Sequence, residues 1–272
     1  MTTTMKVDIY VTTADASSWT TLGLPFRQVI SRIAGCGYDG FELLTQDMSP
    51  PRQKELRNIA ESEGLEIVAV STALVRERYG LTLTDPRRVI RKKAVAKIEA
   101  TTDFARAIDA RIVSIGLVRG RPESAMVCSK TWNRLIGCLR SCGRHANDLG
   151  VTLAVEPETR YETGYIHTVD EALKLVEGVG LDSVKVMIDT FHMNIEERSM
   201  TEAVRKASTE LAHVHFADNN RRAPGMGHID FIEITQTLKV CGYEGYVGFE
   251  IAPYPDPLTA ARKSIKFVKR LL

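Results

Sequence analysis

The chain has 272 residues, with 36 Lys+Arg against 34 Asp+Glu and a formal net charge of +2 at pH 7. That balance gives no electrostatic reason to expect nucleic acid or an anionic membrane as partner. A hydrophobic content of 44% with 26% charged residues excludes disorder and fibrous repeats, and the length accommodates one large domain or two small ones.

The first residues, MTTTMKVDIYV, lack the charged and long apolar regions of a secretory signal, so a cytoplasmic location is expected. Residues 6–11 read as the first strand, and residues 25–35 as a helix with Pro in its first turn. A strand at 40–44 is followed by an amphipathic helix at 51–63 that ends at Gly64. After a strand at 67–71, the segment 72–84, with Arg76, Arg78 and Tyr79, is a candidate lid. Residues 85–108 begin with Asp-Pro and place Ile90, Ala94, Ile98, Thr102 and Ala105 on one helical stripe. The basic run RRVIRKK at 87–93 then reads as a solvated helix face, with Val89, Ile90 and Ala94 turned inward, rather than a nucleic-acid surface.

A strand at 111–117 precedes a helix at 131–149, where Cys138 and Cys142 are expected as buried free thiols. The five cysteines contain no C-x-x-C pair, and an odd count is not a disulfide framework. Four more units follow: strand 151–156 with helix 169–179, strand 184–189 with helix 200–209, strand 211–217 with helix 230–241, and strand 246–251 with helix 257–271. Gly225 and Gly227 read as turn residues, Asp230 as a helix N-cap and His228 as a loop-stabilising residue.

The strands are short, near-continuous apolar runs, the pattern of parallel strands buried on both faces. Eight strand–helix units without a linker predict a single (β/α)₈ TIM barrel over residues 1–272. The alternative, a doubly wound open sheet, usually carries G-x-G-x-x-G after its first strand, and residues 11–19 have none. No run approaches the roughly 18 apolar residues of a membrane span.

In such a barrel, chemistry sits at the C-terminal ends of the strands. Strands five to eight end in Glu156, Asp189, His215 and Glu250. Three buried carboxylates converging there would repel one another and need a cation to stay charged. An oxygen-rich set with one imidazole favours Mn²⁺ or Mg²⁺, with Co²⁺ or Zn²⁺ as alternatives. His213 alternates with His215 on the same face, and either could be a hydrogen-bonded core residue.

The segments VEPETRYETGYIHT, DTFHMN, HVHFADNNRRAPGMGHIDF and GYVGFEI resemble successive motifs of the sugar isomerase/epimerase superfamily with xylose-isomerase-like barrels, closest to the D-tagatose and D-psicose 3-epimerases. The resemblance implies one divalent metal ion held by Glu156, Asp189, His215 and Glu250, a small-molecule sugar substrate, and a homodimer or homotetramer. It implies inversion at C3 of a free or phosphorylated ketose: one of Glu156 and Glu250 removes the proton, and the other returns one through a cis-enediolate. His192 and Arg221 would hydrogen-bond O2, with Arg222 as the alternative contact, and Glu162 would orient His192 or bind the terminal hydroxyl.

Departures from the family pattern are the Leu117-Val-Arg-Gly-Arg-Pro122 loop, and Thr159 and His167 where Asn is usual. Arg119 and Arg121, if they face the pocket, would suit a phosphorylated or carboxylated substrate; a surface loop is the other reading. Aldose–ketose isomerases, inosose isomerases and dehydratases of the same barrel type share the metal and the enediolate. A non-catalytic metal- and sugar-binding barrel is the alternative of another class. The superfamily's trinuclear DNA-repair endonuclease fits poorly: it needs several early-strand histidines, all six here lie after residue 144, and the loop after His215 lacks the D-x-H pair that holds its third metal.

Overall fold

The computed structural model describes residues 5–13, 24–121 and 129–272. Cys128, Pro122 and residues 14–19 of the segment inspected for a glycine motif lie outside the described residues. Eight strands close a barrel in chain order, each parallel to the next and β8 parallel to β1. They are β1 (Lys6–Thr12), β2 (Gly40–Leu44), β3 (Glu66–Ser71), β4 (Ile112–Ile115), β5 (Thr152–Val155), β6 (Val184–Asp189), β7 (Leu211–His215) and β8 (Tyr246–Phe249). A closed all-parallel barrel leaves no switch in strand order, so the open-sheet alternative falls.

The helices that wrap the barrel are α1 (Phe26–Cys36), α2 (Pro50–Glu63), α4 (Arg88–Ala107), α5 (Ser129–Leu149), α6 (Val169–Val179), α8 (Met200–Ala207), α9 (Phe231–Val240) and α10 (Pro257–Val268). Two short helices were not anticipated, α3 (Ala73–Glu77) and α7 (Thr190–Glu196), together with a 3-10 turn at Leu117–Arg119. The anticipated Asp230 cap forms, its carboxylate accepting from the N–H groups of Ile232 and Glu233.

Helix α4 starts later than its Asp-Pro suggests. The Asp85 carboxylate accepts from the backbone N–H of Arg87 at 2.8 Å and from its guanidinium, holding the approach in a turn. The apolar stripe of α4 faces the barrel, with Ala94, Ile98, Thr102 and Ala105 buried and Ile90 partly so. Val89 corrects the expectation: it lies on the solvent side, 64% exposed.

Cys138 is half-buried, Cys142 is buried, and both are free thiols. Among the described residues one large apolar cluster joins the strands to the inner faces of the helices, and Tyr10, Leu44 and Leu74 form a small second one. Each fully buried Leu, Ile or Phe in it contributes about 1.5–3 kcal/mol relative to exposure. No helix among the described residues is long and apolar enough to cross a membrane.

The segment anticipated as a lid is a packed wall. Leu74, Val75, Leu81 and Leu83 are buried, the Leu83 N–H donates to Val118 O at 3.0 Å, and Thr84 Oγ1 donates to Arg119 O at 2.7 Å. The eight strand ends and these loops define one face, and every candidate residue lies there.

Candidate active site

Glu156 follows β5 directly, Asp189 ends β6, His215 ends β7 and Glu250 follows β8. One ligand atom from each lies within 4.8 Å of the other three. His215 Nδ1 is 3.5 Å from Glu156 Oε1, 3.8 Å from Asp189 Oδ2 and 3.2 Å from Glu250 Oε2. His215 Nδ1 and Glu156 Oε1 are buried and, among the described residues, have no hydrogen-bond partner. Two orphaned donor atoms facing one another among carboxylates fit a cation, since burial without a partner is costly.

The imidazole is held from behind. Glu42, inside β2, accepts from Nε2 of both His213 and His215, at 2.6 and 2.7 Å. A proton on Nε2 leaves the Nδ1 lone pair of His215 free to bind a metal, the arrangement in which a carboxylate orients a ligand histidine. His213 is therefore the core histidine and His215 the residue of the cluster. Burial would raise the Glu42 carboxyl, but the two imidazoles hold it well below the usual carboxylate range. Asp8, fully buried beside this group, is pushed well up by burial and by Glu42. Burial alone would depress His215, yet Glu42, Glu156 and Glu250 raise it well above the usual imidazole value. A metal ion at Nδ1 would displace that proton.

Arg221 closes the cluster from above. Its Nη1 donates to Asp189 Oδ2, and its Nη2 lies 2.7 Å from Glu250 Oε2. Its guanidinium stacks on the Phe191 ring at 4.9 Å, whereas Arg222 stacks on Tyr254 at 3.8 Å. Of the two arginines, Arg221 is the one that lines the cavity.

A cavity of about 430 Å³ opens onto the cluster, and Glu156, Glu158, Glu162, His192, Arg221 and Glu250 line it. His192 stands on α7, a helix capped by the Asp189 carboxylate, which accepts from Phe191 N–H at 2.7 Å. Its Nδ1 accepts from the Thr159 N–H at 3.3 Å, which leaves Nε2 as the proton-bearing nitrogen. Burial, and then Arg221, push the imidazole down to about 4, so it is neutral at ordinary pH. Glu162 is exposed at the rim, and no hydrogen bond joins it to His192 among the described residues.

Neither Arg119 nor Arg121 reaches the cavity, which corrects the pocket reading of both. Arg121 is exposed and donates to the carbonyls of Tyr161 and Glu162. Arg119 is wholly buried behind Glu158, with Nη2 2.9 Å from Glu158 Oε2. Burial pushes the Glu158 carboxyl up and Glu156 adds to this, while Arg119 pulls against both. Of the two departures in the same loop, Thr159 offers only its backbone N–H to His192, a contact independent of its side chain, whereas His167 Nδ1 donates to Glu158 O at 2.7 Å.

Glu158, Glu42 and Asp218 were not anticipated. The signal for Glu42 is a lone carboxylate within the apolar strand GFELL, which demands a buried partner. Asp218 organises the loop after β7: its carboxylate accepts from the N–H groups of Asn219, Gly225, Gly227 and Ile229. Gly225 has φ 83°, as a turn glycine should. Gly227 is there for space, since a Cβ would lie 1.9 Å from Asn219 Oδ1. His228 is exposed, and its backbone N–H donates to Asn219 Oδ1.

The family model described as a xylose isomerase-like TIM barrel matches residues 30–271. The chain is 30% identical to the D-psicose 3-epimerase of Enterocloster bolteae over 228 residues, which cover 81% of this chain and 74% of the relative. It is also 30% identical to the D-psicose 3-epimerase of Ruminiclostridium cellulolyticum, over 83% of this chain and 78% of the relative. The crystal structure of D-psicose 3-epimerase with D-tagatose from Clostridium cellulolyticum H10 superposes with a TM-score of 0.83 at 25% identity, covering 98% of this chain and 99% of the other. A structure of L-ribulose 3-epimerase gives 0.86 at 24% identity, over 99% of this chain and 95% of the other.

Proposed function

The chain belongs to the xylose isomerase-like TIM barrel family, and we propose that it is a divalent-metal-dependent epimerase inverting C3 of a free or phosphorylated ketose. The observation that carries this reading is the convergence of Glu156, Asp189, His215 and Glu250 within 4.8 Å beside a cavity, with Glu156 and Glu250 both lining it. Relatives at 30% identity over most of the chain are D-psicose 3-epimerases, which supports the ketose and the carbon.

Mn²⁺ or Mg²⁺ at the four residues, with Co²⁺ or Zn²⁺ as alternatives, would polarise the ketose oxygens and acidify the C3 proton. One of Glu156 and Glu250 takes that proton, and the other, on the opposite face of the substrate, delivers one in its place. Negative charge develops at O2 of the cis-enediolate between the two transfers. Neutral His192, with its proton on Nε2, donates a hydrogen bond to that oxygen. Arg221, poised between Asp189 and Glu250, supplies a second donor and a compensating charge.

Proton NMR in D₂O tests the reading directly, with Mn²⁺-loaded then Mg²⁺-exchanged protein and a panel of free, phosphorylated and acidic ketoses. Deuterium entering C3 as the epimer appears is the expected result. Exchange at C1 with formation of an aldose moves the protein to the isomerases. No exchange on any member of the panel removes the ketose-epimerase reading and leaves an unusual substrate, a dehydratase or lyase, or the non-catalytic metal- and sugar-binding barrel.

A further inference from the structure

The loop after β5 carries a second carboxyl into the cavity, two positions beyond Glu156. Glu158 is 5% exposed, lines the cavity, and receives Arg119 Nη2 on Oε2 at 2.9 Å. Its other oxygen lies over Gly116, where an ideal Cβ would stand 2.6 Å from Glu158 Oε1 and 3.4 Å from Glu156 Oε2. Oε1 therefore sits on the side shared with Glu156, at an edge of the cavity that Gly116 also lines.

Arg119 is wholly buried, and its backbone carbonyl accepts from Thr84 Oγ1 and from the Tyr165 hydroxyl at 2.7 and 2.6 Å. Among the described residues its Nε and Nη1 have no hydrogen-bond partner, so there the guanidinium serves Glu158. A buried ion pair of this kind is a poor source of stability, because desolvation offsets most of the Coulombic gain. It does fix one carboxyl oxygen and leave the other at the cavity.

We propose that Glu158, positioned by Arg119, binds a substrate hydroxyl outside the O2/O3 pair, and that this wall restricts the enzyme to uncharged ketoses. The inference rests on the ketose-epimerase reading above and narrows its substrate. Among the described residues five glutamates line the cavity (Glu77, Glu156, Glu158, Glu162 and Glu250), and the one arginine lining it, Arg221, is already paired with Asp189 and Glu250. A substrate phosphate or carboxylate would meet these carboxyls without a free guanidinium to receive it.

The test compares wild type, Glu158→Gln and the double variant Arg119→Met/Glu158→Leu, which removes the buried pair without leaving a charge behind. Each is Mn²⁺-loaded and assayed with D-psicose, its 1-, 4-, 5- and 6-deoxy analogues, and its 6-phosphate. Both variants are expected to lose about 10- to 100-fold in kcat/KM on D-psicose, chiefly through KM, as when a buried polar group loses its hydrogen-bond partner. The loss should shrink below about threefold on the one analogue that lacks the contacted hydroxyl, and wild type should disfavour the phosphate. An equal loss on every analogue, or a wild type that prefers the phosphate, overturns the proposal. If wild type turns over no ketose, the epimerase reading falls separately, and calorimetric binding of D-psicose decides this one. Weaker binding by the double variant supports it, and equal binding or no binding by wild type overturns it.

Discussion

Glu42 and His215 meet deep in the barrel, with Oε1 2.7 Å from Nε2, although they stand 173 positions apart in the chain. That contact sets which imidazole nitrogen faces Glu156, Asp189 and Glu250. Loss of such an orienting carboxylate typically costs 10- to 100-fold in metal affinity. Glu42→Gln keeps the size but not the charge, and should weaken Mn²⁺ binding by about that factor in a calorimetric titration. Unchanged affinity would mean that the imidazole is held by packing alone.

Glu156 and Glu250 approach the same imidazole nitrogen from different strands, at 3.5 and 3.2 Å. If they act as the two proton-transfer groups, Glu156→Gln and Glu250→Gln should each lower kcat by about 10²–10⁴-fold at saturating metal. In D₂O each single variant should retain C3 exchange from the one epimer whose proton faces the remaining carboxylate. Full turnover by either variant would contradict a two-base reaction.

His192 gives a pH signature in stability. Its imidazole is held down to about 4 by burial and by Arg221, below the roughly 6.5 of an unfolded histidine. As pH falls through 6.5 the unfolded chain takes the proton first, so stability is lost between about 6.5 and 4 and levels off below, at about 3 kcal/mol. Above pH 7 the residue contributes nothing to the pH dependence. Urea unfolding of the metal-free protein should therefore fall toward that of His192→Gln by about 2 kcal/mol between pH 7 and 4.5. A gap that stays constant would show that His192 titrates alike in both states.

The eight strands were legible because parallel strands buried on both faces leave unbroken apolar runs, as in VKVMID and LAHVH. The four clustered residues were legible for the same reason, each being the ionisable group that ends such a run. What was hidden depends on the chain's closure. Nothing local in GFELL tells that Glu42 answers two histidines 171 and 173 positions away. Helices α3 and α7 have five and seven residues, too few turns to display a period. Arg119 looks like a loop charge in LVRGRP, and only the packing of Thr84, Tyr165 and Glu158 around it turns it inward.

Asp218 links the loop after β7 to the cluster. It accepts four backbone N–H groups at 2.8–3.2 Å, and its own carbonyl accepts from Arg221 N–H at 2.8 Å. Arg221 takes φ 60°, a left-handed conformation that costs a non-glycine residue about 1–2 kcal/mol and so needs the loop to hold it. Asp218→Asn would turn an amide N–H₂ toward N–H donors and should cost about 1–3 kcal/mol of stability. Gly227→Ala would place a Cβ 2.3 Å from Asp218 Oδ1 and should cost a similar amount by displacing the same carboxylate. Because both changes break one constellation, their combined cost should fall short of the sum by at least about 0.5 kcal/mol. Each should also lower kcat/KM with metal binding largely kept, since Arg221 moves while Glu156, Asp189, His215 and Glu250 remain on their strands. Additive losses, or wild-type kinetics in both variants, would detach this loop from the placement of Arg221.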